Sequence, residues 1–131
     1  MLRPQLTHLF MEVGDMEKAK WFWLEALGLQ LLDDRGVYIA VGGHGGFAIG
    51  IEQAPKGQVS AEGPEITLRV DDVDAVVERL KSLGVEIEEG PSDQPWQARH
   101  AWLRDPDGRR MSIYSTETPT MVMRSVEEEQ D

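Results

Sequence analysis

An internal repeat limits the folds open to this chain more than any other feature. It aligns VGDMEKAKWFWLEALGL with VDDVDAVVERLKSLGV, which places Val13 on Val70 and Asp15 on Asp72. In each copy a short apolar strand precedes an aspartate that can cap a helix, the helix ends at a glycine, and three extended segments follow. The sequence therefore predicts an α+β fold built from two β-α-β-β-β modules.

Composition changes mark where each module begins and ends. The first module covers residues 1–53, and a linker containing proline, glycine and serine covers 54–64. The second module covers 65–116. The last residues, 117–131, leave the repeat and end in a run of acids, so we expect an acidic, solvated and mobile C-terminal tail.

A hairpin at the end of the second module carries the most informative side chains. The turn DPDG at 105–108 joins the segments HAWL and MSIY, and its proline and glycine suit a tight turn. Because side chains alternate along a strand, His100 and Trp102 should share one face. The facing positions on the second strand are Ser112 and Tyr114. This predicted face is polar and aromatic, unlike a core.

The repeat also relates positions on the strands of the two modules. Aligning IGI of the first hairpin with MSI of the second places Gly50 on Ser112 and Glu52 on Tyr114. The register of the first strands places His8 on Glu65. These pairs are therefore expected to occupy equivalent positions in the two modules.

Composition argues against several classes of partner and site. A net charge of −11 is unsuited to a phosphate backbone, so we expect no nucleic-acid partner. The absence of cysteine excludes disulfides and zinc-thiolate sites, and a reducing cytoplasm is the expected location. No apolar run is long enough to span a bilayer, so no membrane partner is expected either.

The repeated module, the phrase PWQARHAWLRDPDGRRMSIYS and the helix VDDVDAVVERLKSLGV resemble the vicinal oxygen chelate superfamily. This superfamily includes glyoxalases, fosfomycin-resistance enzymes, extradiol dioxygenases and bleomycin-resistance proteins, and the resemblance covers the chain up to about Thr116. It implies that the two modules pair into a curved, cavity-forming mixed sheet, as in glyoxalase and bleomycin-resistance proteins. It also implies a homodimer with ligand-facing residues on the strands.

The resemblance further implies where metal-using members place their ligands. Carried onto this sequence, those positions are His8, Gly50 (or Glu52, if the register shifts by two residues), Glu65 and Ser112. His8 matches the pattern, and Glu65 stands where histidine is usual. Gly50 has no donor atom, and the neutral hydroxyl of Ser112 is a poor substitute for a carboxylate. We therefore expect no cofactor and no complete metal site.

An alternative metal site remains open in the sequence. If a divalent ion binds, His8 and Glu65 would hold it, with Glu52 or His100 as the third ligand. Trp102 is expected to form a wall that stacks on a ligand, with Trp96 at the rim. Among the arginines, Arg99 has the best claim to the rim. The candidate ligand-binding residues are His8, Gly50, Glu52, Glu65, Thr67, Trp96, His100, Trp102, Ser112 and Tyr114.

Two functions follow from these residues, and whether the chain is an enzyme stays open. The first is a metal-free protein, similar to bleomycin-resistance proteins, that binds a small cationic or aromatic molecule in a cavity between paired modules. The second is a divalent-metal-dependent lyase, isomerase or dioxygenase, in which Glu52 or His100 completes the ligand set or acts as a general base. Serine at position 112 favours the first.

Overall fold

The chain divides into two compact units, Met1–Val59 and Ser60–Asp131. A computed structural model describes residues 2–116. The predicted acidic tail, 117–131, lies outside the described residues. Within the described part of the chain, no helix has the length and apolar character needed to cross a membrane.

Both units follow the predicted order of strand, helix and three strands. The first unit contains β1 (His8–Val13), α1 (Met16–Lys20), a π-helical segment (Trp21–Ala26), β2 (Gln30–Asp34), β3 (Tyr38–Gly42) and β4 (Ala48–Gln53). The second unit contains β5 (Ile66–Arg69), α2 (Val73–Ser82), β6 (Ile87–Gln94), β7 (Ala98–Arg104) and β8 (Arg110–Ser115).

Each unit forms one open, four-stranded mixed sheet. The strand orders are β1-β4-β3-β2 and β5-β8-β7-β6, with the first pair of each sheet parallel and the other pairs antiparallel. Phe10 pairs with Gly50 in the first sheet, and Thr67 pairs with Ser112 in the second. This is the register that the repeat predicts. The α+β fold of two β-α-β-β-β modules is therefore confirmed.

The helical segment of the first unit begins where the sequence predicts, and it changes from an α-helix to a π-helix after Lys20. The side chain of Asp15 accepts hydrogen bonds from the backbone N–H groups of Glu17 and Lys18, as an N-cap does. The segment then continues as a π-helix, in which successive residues are separated by a smaller rotation than in an α-helix. The neighbouring side chains of Phe22 and Trp23 are accordingly both buried.

In the second unit, helix α2 covers one face of the sheet. The side chain of Asp72 caps the helix by accepting from the backbone N–H of Ala75. Val73, Val77 and Leu80 of α2 are fully buried. The alternate sheet residues Ala101, Leu103 and Ile113 are fully buried as well. Because side chains alternate along β7 and β8, the intervening residues point away from α2. We call this side of the second sheet the aromatic face; it comprises Thr67, His100, Trp102, Arg110, Ser112 and Tyr114.

Candidate functional site

Two rings of the aromatic face, those of Trp102 and Tyr114, each stack on the ring of His100. His100 pairs with Tyr114 in the sheet, and Trp102 follows two residues along the same strand. The His100 ring lies 4.6 Å from the Trp102 ring and 5.3 Å from the Tyr114 ring, at interplanar angles of 10° and 25°. These distances are within the range of favourable aromatic contacts. The predicted shared face of the hairpin is thus an ordered aromatic surface.

Trp96 extends this surface from the turn between β6 and β7. Its ring meets the His100 ring edge to face, with 5.8 Å between centroids. The Trp96 side chain is 51% exposed, so much of it faces solvent. Four aromatic rings therefore come from two strands and the turn that precedes them, with His100 touching the other three.

Beside the rings, Ser112 and Thr67 join neighbouring strands through their hydroxyl groups. Ser112 is fully buried, and its Oγ shares a hydrogen bond of 2.9 Å with Oγ1 of Thr67. The parallel pairing of β5 with β8 sets these two residues side by side. The Ser112 hydroxyl therefore already has a partner within the protein.

The environment of His100 favours the neutral imidazole. Burial lowers the pKa of His100 below its ordinary value of 6.5, and the negative charge of Glu65 raises it by a smaller amount. The Nδ1 atom is buried and has no hydrogen-bond partner among the described residues. A neutral imidazole nitrogen can accept or donate a hydrogen bond, according to its tautomer. His100 therefore carries a buried polar atom within an otherwise aromatic surface.

An arginine covers Trp102. The guanidinium of Arg110 lies 5.2 Å from the centroid of the Trp102 ring, which is a cation-π distance. Its Nη2 is 3.2 Å from Oε2 of Glu89, and its Nε is 3.6 Å from Oε1 of Glu65. Glu65, a predicted site residue, is thus paired within the protein.

The prediction that Arg99 lies at the rim of this site was wrong. Arg99 is on the opposite side of the sheet, where it bonds Asp74 of α2 at 2.7 Å and Asp93 at 3.1 Å. The guanidinium of Arg99 holds the pKa of Asp74 below its usual value. The alternation of side chains along the strands indicates the correct sides of the sheet. Arg99 shares its side with the buried Ala101, and Arg110 shares its side with Ser112.

Three predicted site residues, His8, Gly50 and Glu52, belong to the first unit. His8 is exposed, and its Nδ1 is 3.0 Å from the hydroxyl oxygen of Thr7. Gly50 is buried, and a Cβ added there would lie 2.6 Å from the hydroxyl oxygen of Tyr38. Sequence reasoning missed Tyr38, although a glycine inside a strand often marks such a close approach.

The residues at the positions of the family's metal ligands do not fit a divalent ion. Gly50 has no side chain, the Ser112 hydroxyl bonds Thr67, and the Glu65 carboxylate is paired with Arg110. Within residues 2–116, no group of three or more histidine, aspartate or glutamate side chains is arranged to hold a metal ion. The aromatic face instead offers rings, one imidazole and a paired arginine.

Comparison with known families gives one match over most of the chain. The family described as Glyoxalase/Bleomycin resistance protein/Dioxygenase superfamily matches residues 5–113. This range includes both β-α-β-β-β modules except the last two residues of β8, so it contains every residue of the aromatic face but Tyr114.

Solved structures give similar results. TnmS3, an antibiotic binding protein from Streptomyces sp. CB03234, is 32% identical, with 89% of this chain and 99% of that chain covered and a TM-score of 0.75. A glyoxalase/bleomycin resistance protein from the same organism is 34% identical, with 82% and 97% covered and a TM-score of 0.67. A superfamily member from Sphaerobacter thermophilus DSM 20745 is 23% identical, with 88% and 99% covered and a TM-score of 0.72, and shows the shared fold alone.

Proposed function

The chain belongs to the glyoxalase/bleomycin resistance protein/dioxygenase superfamily, and on this premise we propose that it binds a small planar aromatic molecule without using a metal ion. The proposed site is the aromatic face of the second unit together with Trp96. The observation that carries the proposal is the set of four rings in which His100 contacts Trp96, Trp102 and Tyr114. Trp96 is half exposed and the His100 and Trp102 side chains are partly exposed, so these residues can contact a planar ligand.

The similarity to TnmS3 supports a binding function. That structure is of an antibiotic binding protein, and it is similar to this chain over 89% of the length of this chain. Binding sites for small molecules are commonly apolar and aromatic with a few placed polar groups. The aromatic face has this composition, with the Arg110 guanidinium as a polar group beside the rings.

A metal-dependent lyase, isomerase or dioxygenase has less support from the same residues. A catalytic divalent ion needs about three protein ligands of suitable charge and geometry. Here the position of the last-strand carboxylate is Ser112, which bonds Thr67, and Glu65 is paired with Arg110. The donor set thus favours binding without metal chemistry.

We also propose that the protein is a homodimer, as the family resemblance implies. Large apolar side chains of the first unit support this, since Phe10 and Leu32 are each 56% exposed and would gain by burial against a partner. Sedimentation velocity at micromolar concentration tests the proposal. A dimer that Phe10→Ser weakens is expected, and a monomeric wild-type protein would contradict it.

Isothermal titration calorimetry with planar probes tests the binding function. We would titrate 2-naphthol, 1-naphthoate and N-methylquinolinium, which share a two-ring framework and differ in charge. We expect saturable binding of at least one probe, weakened about tenfold by Trp102→Leu, because an aromatic contact contributes about 0.5–1.5 kcal/mol beyond burial. Trp21→Phe is the matched control, since Trp21 lies on the π-helical segment of the first unit.

Two results would overturn this function. One is the absence of saturable binding for all three probes, and the other is equal binding by wild type and Trp102→Leu. A parallel titration with Mn²⁺, Ni²⁺, Zn²⁺ and Fe²⁺ addresses the metal. Stoichiometric metal binding that His8→Ala abolishes would contradict the metal-free proposal and favour the enzyme.

A further inference from the structure

The position above Trp102 that a cation would prefer is already occupied by the protein. Cations bind over the face of a tryptophan ring within about 6 Å of its centroid. The Arg110 guanidinium lies there, at 5.2 Å, while the His100 ring stacks on the same indole at 4.6 Å. In the sheet, Arg110 pairs with Arg104 and Tyr114 pairs with His100, so Trp102 lies between these two pairs.

The two nearby carboxylates are both paired with this arginine, which offsets one of their two negative charges. Glu65 and Glu89 are the acidic groups that contact Arg110, at 3.6 Å and 3.2 Å. Two carboxylates beside an aromatic surface would ordinarily attract a cationic ligand. Here a single guanidinium contacts both carboxylates and lies over the ring.

The repeat shows that this arrangement is confined to the second unit. In the first sheet, Ala40 pairs with Gly50 as Trp102 pairs with Ser112 in the second. In the same register, Ala48 occupies the position equivalent to Arg110. The backbone positions exist in both units, but only the second unit has the ring and the arginine.

We infer that Arg110 makes the aromatic face selective against cationic ligands, so that the protein takes neutral or anionic aromatic molecules. A cationic ligand that stacks on Trp102 must displace the Arg110 guanidinium or approach it against charge repulsion. A neutral ring is not repelled by the guanidinium, and an anion can accept hydrogen bonds from it. A repulsive group of this kind is an effective device for specificity. The inference rests on the proposed function, and it rejects the cationic ligand class that the sequence left open.

Calorimetry with the three probes tests this selectivity. The measured quantity is the ratio of the dissociation constant of N-methylquinolinium to that of 2-naphthol. In wild type we expect this ratio to exceed about ten, and in Arg110→Met we expect it to fall about tenfold because the ring and both carboxylates become accessible to the cation. Arg110→Lys keeps the charge and should keep most of the selectivity.

Arg99→Met is the matched control. It removes the same charge from the same sheet but lies on the α2 side, so the wild-type ratio should persist. The inference is overturned if Arg110→Met leaves the affinity for N-methylquinolinium unchanged, or if Arg99→Met raises it equally. If wild type binds no probe, the proposed function fails. A gain of N-methylquinolinium binding in Arg110→Met would still show that Arg110 excludes cations, and no gain would contradict this inference.

Discussion

Asp105 and Arg109 close the turn between β7 and β8 through both oxygens of one buried carboxylate. Oδ1 of Asp105 accepts from the backbone N–H groups of Asp107 and Arg109, each at 2.9 Å, and Oδ2 lies 3.1 Å from Nη1 of Arg109. Asp105 is only 6% exposed. The turn that delivers β8 to the aromatic face therefore depends on one charged side chain.

Asp105→Ala should destabilise the second unit. The substitution leaves two backbone N–H groups and the Arg109 guanidinium without this acceptor, and we expect a loss of about 2 kcal/mol in the free energy of unfolding. Urea denaturation followed by circular dichroism measures the change. Asp107→Ala, whose carboxylate is 3.5 Å from Arg109, should cost less, and equal losses in the two variants would contradict this account.

Gly50→Ala should destabilise the first unit through a clash with Tyr38. The added Cβ would lie 2.6 Å from the Tyr38 hydroxyl oxygen and 3.1 Å from a ring carbon, so the ring must shift. Overpacking of this kind costs about 1–3 kcal/mol. Chemical denaturation in a Tyr38→Leu background tests whether the clash is the cause. The loss in free energy of unfolding caused by Gly50→Ala should be smaller in that background. A cost unaffected by Tyr38→Leu would rule out the clash as its origin.

Thr67 and Ser112 should behave as a coupled pair. Their shared hydrogen bond of 2.9 Å is removed by either Thr67→Val or Ser112→Ala, and each should cost about 1 kcal/mol. Once one partner is gone, replacing the other should cost less. A double-mutant cycle measured by denaturation gives the coupling energy. Additive losses would mean that the hydrogen bond does not contribute to stability.

The stability of the second unit should fall as pH decreases below 6.5. Because the pKa of His100 is lowered in the folded protein, the unfolded chain binds more protons between the lowered pKa and 6.5, and stability rises with pH across that window. His100→Gln should remove this component. Thermal melts of both proteins from pH 5 to pH 8 give the difference. A constant difference in melting temperature over this range would contradict the assigned shift.

Much of the second sheet could be predicted because it depends on local patterns. Alternation placed His100 and Trp102 on one face, and the repeat placed Gly50 and Ser112 at equivalent positions of the two sheets. Both helix caps, Asp15 and Asp72, followed from their positions before amphipathic segments. These features need only a strand period of two and the chemistry of a helix end.

The remaining features depend on contacts between residues that are distant in sequence. The Tyr38 ring covers Gly50 because the two lie on adjacent strands, which the spacing of the residues alone does not reveal. Arg110 folds over Trp102 because Glu65 and Glu89 hold its guanidinium, and they come from other strands or strand edges. A long flexible side chain such as that of Arg110 can reach several partners. Which partner it contacts is therefore decided by the tertiary structure and not by the local sequence.

The two sides of the second sheet differ in how far substitutions there would disturb the fold. Ala101, Leu103 and Ile113 on the α2 side are fully buried and hold the unit together, while Trp102 and Arg110 on the other side are partly accessible. The first unit keeps the same strand order with alanine at both equivalent positions. Under the proposed function, substitutions on the aromatic face can therefore change the ligand that is bound, while the buried residues on the α2 side keep the fold.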